Sequence, residues 1–417
     1  MTILNTKQKD AYDCMMRGEN VFITGSGGVG KSTVIDKFVC DLQISTNCLA
    51  VTSTTGISAL LIKGVTLHSY LGIGLGEDSV EGLYKRVKKF KSYERWRNLK
   101  VLIIDEISML SPELFTKLES LARRIRRNNL CFGGIQLILS GDFCQLPPVK
   151  SDKLCFESEC WSECVKNTFY LTEIVRQSDS DFKKCLNSVR IGDISEEVKS
   201  ILSTRVGAEL VNSSGIKPTR LYSTNNMVNS INTEELYKIA KKNKSCIRQY
   251  DMDFEFVGVN NKKQYSEKYK RNCMASETLE LCIGAQVMLL HNLHIDIGLA
   301  NGSRGVVIDF TPDDVPIVKF LNGVVKEIND HEWEYKEKKK KITIYQYPLK
   351  LAWALTIHKS QGSTIDYAEI DLSNPFERGM AYVALSRVKS LDGLTIVDID
   401  YSKIKANQKA VRYYNSL

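Results

Sequence analysis

A glycine-rich segment near the N-terminus has the composition and spacing of a phosphate-binding loop. Residues 25–32 read GSGGVGKS, between an apolar run and a helix-like segment. Glycines let the backbone curve around a phosphate with its N–H groups pointing inward, and a following helix adds its dipole. Lys31 would place a positive charge at the outer phosphates, and the hydroxyl of Ser32 is a ligand for Mg²⁺. The predicted phosphate cradle is Gly25, Ser26, Gly27, Gly28, Val29, Gly30, Lys31 and Ser32.

Two adjacent acids end a second apolar run, VLIIDEISML at residues 101–110. Asp105 is predicted to hold the Mg²⁺ shell, and Glu106 to orient or deprotonate an attacking water. Together with the glycine loop, the pair predicts hydrolysis of a nucleoside triphosphate. A kinase also carries the glycine loop, so the prediction of hydrolysis rests mainly on Glu106.

The stretch IQLILSGDFCQLPPVK, residues 135–150, runs from an apolar strand into an acid, an aromatic, a glutamine and two prolines. Gln145 carries both a donor and an acceptor, so it can sense a γ-phosphate placed beyond the strand. Phe143 would then face another ligand, such as a nucleotide base. The alternative is an Asp-capped turn in which proline simply ends the strand.

Two arginines in the second half of the chain have apolar neighbours. Arg176 lies in LTEIVRQ and Arg387 in YVALSRVKS. Lone arginines on helices are usually solvated. In a chain that carries a phosphate loop, these two are better explained as fingers that reach across a cleft and stabilise charge on the transferred phosphoryl group.

Short apolar strands alternate with helix-like segments from residue 20 onward, which predicts a parallel sheet covered by helices on both faces. A second α/β set begins after about residue 170. Residues 284–347 consist of short β-rich runs and predict a small all-β insertion. The predicted domains are therefore 1–167 and 168–417, with 284–347 inserted in the second.

Composition limits the class of protein. The chain of 417 residues is 43% hydrophobic and 25% charged, as in a soluble globular protein, and its formal charge of +8 permits a polyanionic partner. The sequence contains neither an apolar run of about 20 residues nor a signal peptide, so no membrane partner is expected. Nuclear, viral-cytoplasmic and bacterial-type cytosolic locations stay open. The twelve cysteines lack a C-x-x-C pair and predict buried thiols rather than a zinc site.

Taken together, the motifs resemble those of the Pif1 family of DNA helicases, which belongs to superfamily one, group B, and is related to RecD. The resemblance covers nearly the whole chain. The segments that carry it are, in chain order, LNTKQ, GSGGVGKS, TSTTGISAL, TLHSYLGIG, LIIDEISML, SGDFCQLPPV, LTEIVRQ, ALTIHKSQGST and AYVALSRVKS.

The resemblance implies two RecA-like P-loop NTPase domains, an SH3-like β insertion and a small wedge-like segment near 70–98. It implies ATP and Mg²⁺ as cofactors, with Gln8 reading the adenine and Gln361 at the nucleotide. It also implies 5′→3′ translocation on single-stranded DNA and unwinding of forked or tailed duplexes, in DNA replication, repair or recombination. RNA–DNA hybrids and G-quadruplexes are further substrates of the family, and such motors work as monomers or transient dimers. The residues implied to line the DNA channel are Thr54, Thr55, His68, Phe143, His358 and Lys359.

Two other functions are compatible with the residues. One is a protein that hydrolyses ATP to clamp or move on nucleic acid without separating strands, because strand separation has no motif of its own. The other is a small-molecule phosphotransferase, which would leave Gln145, the HKSQG segment and Arg387 unexplained.

Overall fold

The computed structural model describes residues 4–45, 48–89, 92–148, 151–210, 217–222, 224–273, 275–291, 293–294, 297–299, 302–337, 340–375 and 377–417. The chain divides into two compact units. Unit 1 contains residues 1–208, 357–366 and 370–417, and unit 2 contains residues 209–356 and 367–369.

Unit 1 is built on a six-stranded sheet in which all adjacent strands are parallel. Its strands are β1 (Val21–Gly25), β2 (Leu49–Ser53), β3 (Val65–Thr66), β4 (Val101–Asp105), β5 (Gln136–Gly141) and β6 (Asn167–Leu171). The order across the sheet is β3-β2-β4-β5-β1-β6. β4, β5 and β1 are therefore neighbours, and the three motif loops that follow them leave the same carboxyl edge.

In the described part of unit 1, ten α-helices precede residue 208. They are α1 (Thr6–Met16), α2 (Lys31–Asp41), α3 (Gly56–Leu61), α4 (Leu67–Leu71), α5 (Val80–Lys88), α6 (Ser92–Asn98), α7 (Pro112–Arg126), α8 (Trp161–Cys164), α9 (Ser180–Ile191) and α10 (Glu196–Ser203). Helix starts follow from local sequence: Ser111 accepts a hydrogen bond from the backbone of Leu114, and Pro112 occupies the first turn of α7. The wedge predicted near 70–98 contains α5 and α6. Cys131 and Cys164 form a disulfide, which corrects the expectation of thiols at these two positions.

Unit 2 is mostly β-structure. Its elements are β7 (Thr219–Tyr222), α11 (Asn225–Asn243), β8 (Arg248–Asp251), β9 (Asp253–Val257), α12 (Lys262–Asn272), β10 (Thr278–Leu281), β11 (Gln286–Leu289), β12 (Arg304–Phe310), β13 (Pro316–Phe320), β14 (Val325–Glu327), β15 (His331–Glu337), β16 (Lys340–Gln346), β17 (Leu349–Leu351) and β18 (Ala354–Thr356). β7 and β18 run parallel to each other. An antiparallel sheet has the order β14-β13-β12-β11-β17, and a second one the order β15-β16-β9. The β-rich segment predicted at 284–347 thus contributes to both antiparallel sheets.

The chain then returns to unit 1. Its last elements are α13 (Ile357–Ser360), β19 (Ala368–Leu372), α14 (Met380–Arg387), β20 (Leu394–Ile399) and α15 (Gln408–Asn415). β19 crosses the boundary, since residues 367–369 belong to unit 2. α15 places Ala410 and Tyr414 in the same apolar core as Phe22 of β1 and Phe115 of α7. Among the described residues, the helices are too short or too polar to cross a membrane.

Candidate active site

The loop between β1 and α2 has the conformation that its glycines predict. Gly28 and Gly30 have φ angles of 86° and 83°, in the left-handed region that favours glycine. A Cβ on Gly28 would lie 2.5 Å from the Cβ of Arg176, and one on Gly30 would lie 2.5 Å from Nε2 of Gln8. The glycines therefore allow two predicted site residues to approach the loop closely.

Lys31 begins α2 and is held inside the loop that precedes it. Its Nζ donates to the carbonyl oxygens of Gly25 at 2.7 Å and Ser26 at 2.9 Å. Burial lowers the pKa of Lys31, and the carboxylates of Asp142 and Glu106 oppose this effect. The ammonium group is thus preorganised among backbone oxygens and close to acidic groups.

Asp105 and Glu106 stand together where β4 ends. Burial, followed by the negative charge of Glu106, raises the pKa of Asp105 to about 7. Glu106 has a φ angle of 54°, which is uncommon for a residue with a side chain and is typical of functional sites. Two buried carboxylates side by side are unfavourable unless a cation joins them. Together with the hydroxyl of Ser32, they offer the hard oxygen donors that Mg²⁺ prefers.

Glutamines from two segments meet at Glu106. Nε2 of Gln361 lies 2.9 Å from Oε2 of Glu106 and 3.3 Å from Oε1 of Gln145. All three side chains are buried. The structure therefore joins the HKSQG segment, the strand-end acid and the loop after β5 in one hydrogen-bonded group.

The two predicted arginine fingers lie beside each other. Nη1 of Arg176 donates to the carbonyl oxygen of Ser386 at 3.0 Å, and Nη2 of Arg387 donates to Oγ of the same serine at 2.8 Å. Burial and then the charge of Arg387 lower the pKa of Arg176 to about 9. Burial also lowers the pKa of Arg387. Two adjacent cations, one buried (Arg387) and one half-buried (Arg176), are stabilised by an anion of high charge, such as a triphosphate.

One cavity of about 610 Å³ collects most of the predicted nucleotide residues. The predicted residues that line it are Gln8, Gly27, Gly28, Gly30, Lys31, Ser32, Asp105, Glu106, Gln145, Arg176 and Arg387. Nε2 of Gln8 donates to the carbonyl oxygen of Val29 at 3.0 Å, which ties α1 to the loop. Ser58, Thr364 and Lys389 also line the cavity and were not predicted, although all three lie within motif segments.

Comparisons with family models and with individual relatives identify the family of the chain that contains this cavity. Residues 3–200 match the model of the PIF1-like helicase family, and residues 264–310 match that of the DNA helicase Pif1 2B domain. The crystal structure of Pif1 helicase from Candida albicans matches with a TM-score of 0.86 and 35% identity, over 100% of both chains. The chain belongs to the PIF1-like helicase family.

Two further relatives of the PIF1-like chain are informative. The ATP-dependent DNA helicase PIF1 of Danio rerio is 40% identical over 99% of this chain, which spans 64% of that protein's length. A crystal structure of Pif1 helicase from Bacteroides, in complex with ADP-AlF3 and single-stranded DNA, matches with a TM-score of 0.71 and 27% identity, over 100% of this chain and 97% of that one.

In this PIF1-like chain, the described side chains proposed for the DNA channel make separate sets of contacts. Oγ1 of Thr54 donates to the carbonyl oxygen of Glu106 at 2.9 Å, and Oγ1 of Thr55 lies 2.7 Å from Oγ of Ser58 at the start of α3. Burial lowers the pKa of His68. The two threonines are therefore attached to residues that line the cavity, Glu106 and Ser58.

Two of the three remaining residues proposed for the channel, His358 and Lys359, lie in α13. Nε2 of His358 is 3.3 Å from Oε2 of Glu377, and the histidine is half-buried. The side chain of Lys359 lies outside the described part of the structure.

Phe143 requires a correction. Its ring has no exposed surface and packs against Phe22 and Trp161, with ring centroids 5.3 and 5.8 Å away. Phe156 and Tyr413 contact it edge-on. The expectation that Phe143 faces a nucleotide base is therefore wrong in this structure, because the aromatic cluster covers the ring completely.

A buried ion pair next to Phe143 was missed at the sequence level. Asp142 and Arg190 form two hydrogen bonds, at 2.8 and 2.9 Å, and both side chains are almost fully buried. Asp142 lies in the 135–150 stretch and Arg190 lies beyond the LTEIVRQ motif, and neither was assigned a role. The sequence pattern that could have indicated a role for Arg190 is its position on α9 beside Leu186 and Val189, which are buried on the same face of that helix.

Proposed function

We propose that this chain is an ATP-dependent DNA helicase that moves 5′→3′ on single-stranded DNA and unwinds duplex DNA, in replication, repair or recombination. The observation that carries the proposal is the hydrogen-bonded group of Glu106, Gln145 and Gln361. Glu106 and Gln145 of this group line the same cavity as the glycine loop and both arginines. A phosphotransferase has no use for this group, whereas a motor uses it to link hydrolysis to a second ligand.

Hydrolysis follows from the positions of the charged groups. Water attacks the γ-phosphorus and breaks the bond to the bridging oxygen, while Glu106 orients the water and accepts its proton. Lys31, Arg176 and Arg387 stabilise the negative charge that develops on the phosphate oxygens. Ser32 and Asp105 would hold Mg²⁺, which supplies Lewis-acid stabilisation of the phosphates when bound. Gln8, fixed to the loop through Val29, is proposed to read the adenine.

The DNA partner is supported by family membership and by the Bacteroides Pif1 structure, which contains single-stranded DNA. Thr54, Thr55, His68, His358 and Lys359 are proposed to contact the strand through hydroxyl, imidazole and ammonium groups. Phe143 is excluded from the DNA contacts because it is buried.

α5 and α6 are proposed to form the wedge. The sheets of unit 2 are proposed to include the SH3-like subdomain. Forked duplexes, RNA–DNA hybrids and G-quadruplexes are proposed substrates, for a monomer or transient dimer.

One experiment tests the proposal directly. ATP hydrolysis and strand separation are measured together on duplexes with a 5′ tail, a 3′ tail or none, and Lys31→Ala serves as the inactive control. Unwinding that occurs only with the 5′ tail, accompanied by tail-stimulated hydrolysis, is the expected result. Stimulated hydrolysis without unwinding would indicate a translocase or remodelling protein. Hydrolysis indifferent to DNA would point to the phosphotransferase.

A further inference from the structure

A tyrosine hydroxyl accepts a hydrogen bond from one of the backbone amides of the glycine loop. The backbone N–H of Gly27 donates to Oη of Tyr382 at 2.8 Å. Tyr382 lies on α14, the helix that ends with Arg387, and its side chain is buried. A single N–H has one hydrogen, so it cannot serve this hydroxyl and a phosphate oxygen at full strength at the same time. Tyr382 and a bound phosphate therefore compete for the Gly27 amide.

The same hydroxyl contacts the start of the loop that follows β5. Because Tyr382 accepts the Gly27 hydrogen, its own hydrogen is available to Oδ2 of Asp142, 3.3 Å away. Oδ1 of Asp142 also accepts the N–H of Cys144 at 3.1 Å. Asp142 thus fixes the first turn of the short loop that carries Gln145 to the cavity.

Arg190 also binds Asp142, and its Nε shares Oδ2 of the carboxylate with the Tyr382 hydroxyl. Nε and Nη2 of the arginine contact the two carboxylate oxygens, and its guanidinium lies 4.5 Å above the ring of Tyr414. Burial alone would raise the pKa of Asp142, but the charge of Arg190 keeps it below the ordinary value. The carboxylate is therefore held by two hydrogen bonds from Arg190 and by a longer one from Tyr382, whose hydroxyl also accepts the Gly27 N–H.

A second tyrosine, Tyr414, binds the loop after β5 through a hydrogen bond whose direction can be assigned. Oγ1 of Thr24 donates to the carbonyl oxygen of Gly141 at 2.9 Å, so it must accept the hydrogen of Tyr414, 2.7 Å away. Oη of Tyr414 is then free to accept the N–H of Phe143 at 2.8 Å. Two tyrosines thus hold the loop after β5, one at Asp142 and one at Phe143.

We propose that Tyr382 is a positioning residue that couples occupation of the Gly27 amide by phosphate to the loop that carries Gln145. When a phosphate oxygen takes the amide hydrogen, the Tyr382 hydroxyl loses its donor and turns towards Asp142. Because the same carboxylate is bound by Arg190 and accepts the Cys144 N–H, this change is passed into the first turn of the loop. The inference rests on the proposed function, and it adds a path to Gln145 that starts at the loop amide rather than at the γ-phosphate.

Tyr382→Phe tests the competition, because it removes the hydroxyl and keeps the ring. Affinity is measured by titration of a fluorescent ADP analogue, without hydrolysis. The expected result is binding tighter by about threefold to tenfold, since a competing hydrogen bond is lost. The stimulation of ATP hydrolysis by single-stranded DNA should fall by about threefold or more. A purely structural role would not tighten nucleotide binding.

Tyr401→Phe is the matched control. Its hydroxyl donates to the carbonyl oxygen of Lys199 at 3.2 Å in the same unit, and the residue does not line the cavity. Neither the affinity for the ADP analogue nor the stimulation by DNA should change.

Tyr414→Phe tests the other tyrosine that holds the loop. The affinity for the ADP analogue should stay unchanged, while the stimulation of hydrolysis by DNA should fall. Unchanged stimulation would overturn the transmission step even if Tyr382→Phe failed to fold.

The remaining outcomes are also decisive. Unchanged affinity in Tyr382→Phe would overturn the competition, and weaker binding would show that the hydroxyl serves the nucleotide directly, which also overturns the proposal. Failure of the proposed function appears separately, as hydrolysis by the unmodified protein that does not respond to DNA, whereas the ADP titration still reports on Tyr382.

Discussion

Gln361 donates a hydrogen bond to Glu106 at 2.9 Å, although the two residues lie in segments far apart in the chain. The same amide nitrogen is 3.3 Å from Oε1 of Gln145, and its two hydrogens allow it to serve both acceptors. The acid proposed to activate water is thus held by an amide from the HKSQG segment. Its orientation depends on that segment as much as on β4.

Gln361→Ala should lower kcat for ATP by about tenfold to a hundredfold, because a small displacement of Glu106 is enough to misplace the attacking water. KM should change little, since Gln361 does not line the cavity. Steady-state hydrolysis in the presence of single-stranded DNA measures both constants. Ser363→Ala, which removes a hydroxyl that donates to the nearby carbonyl oxygen of Ser360, is the control and should behave like the unmodified protein. An unchanged kcat would mean that Glu106 is oriented without Gln361.

Arg387→Ala should reduce ATP hydrolysis by about a hundredfold or more while DNA binding stays near normal, because the guanidinium stabilises charge that develops on the phosphates. Hydrolysis and fluorescence-anisotropy titrations with a labelled single strand measure the two effects separately. Arg412→Ala, which removes an exposed arginine of α15, should alter neither. If hydrolysis and DNA binding were lost to the same extent, Arg387 would be a structural residue.

Phe143→Ala should lower the free energy of unfolding by about 3–5 kcal/mol, because the truncation leaves a cavity in a dry aromatic cluster. Urea unfolding gives this value. Phe143→Leu keeps most of the volume and should bind single-stranded DNA as the unmodified protein does. A clear loss of DNA affinity in a folded Phe143→Leu protein would restore the original expectation of a base contact. Leu130→Ala, at a side chain that is largely exposed, should cost little stability.

The stability of the chain should fall as the pH drops from about 6.5 towards 4, owing to His331 of unit 2. Its ring stacks on His291 with centroids 3.9 Å apart, and burial and then the charge of His291 lower the pKa of His331 to about 4. An unfolded histidine has a pKa of about 6.5. Between these values the unfolded chain binds the additional proton, so acid favours unfolding.

Urea unfolding at pH 7.5 and 5.0 measures this pH effect, with the fluorescence of the neighbouring Trp333 as a probe. His331→Gln should make the stability less dependent on pH in this interval. His294→Gln, at an exposed histidine, is the control and should leave the dependence as it is. If the stability of His331→Gln depended on pH as strongly as that of the unmodified protein, other titratable groups would be responsible for the loss of stability in acid.

The sequence was most informative where local pattern determines structure. The glycine loop, the acids after β4 and Gln145 after β5 were predictable, because each follows a buried parallel strand and such strands end at one edge. The segment at 244–275 had no interpretation, and it forms β8, β9 and α12. Its pairing could not be read locally: Phe254 of β9 lies opposite Ile344 of β16. The burial of Phe143 was equally inaccessible, because Tyr413 and Tyr414 of the distant α15 contribute to its cover.

The return of α15 to the first sheet has a consequence for the synthesis of this protein. Tyr414 must reach Thr24 and Phe143 before the core of unit 1 is complete, and the whole of unit 2 lies between them in the chain. Residues 209–356 are continuous and become available on the ribosome first. Unit 2 is therefore expected to fold during translation, while unit 1 waits, partly assembled and with apolar surface exposed, until α15 emerges. Chaperones should bind the nascent chain mainly during that interval.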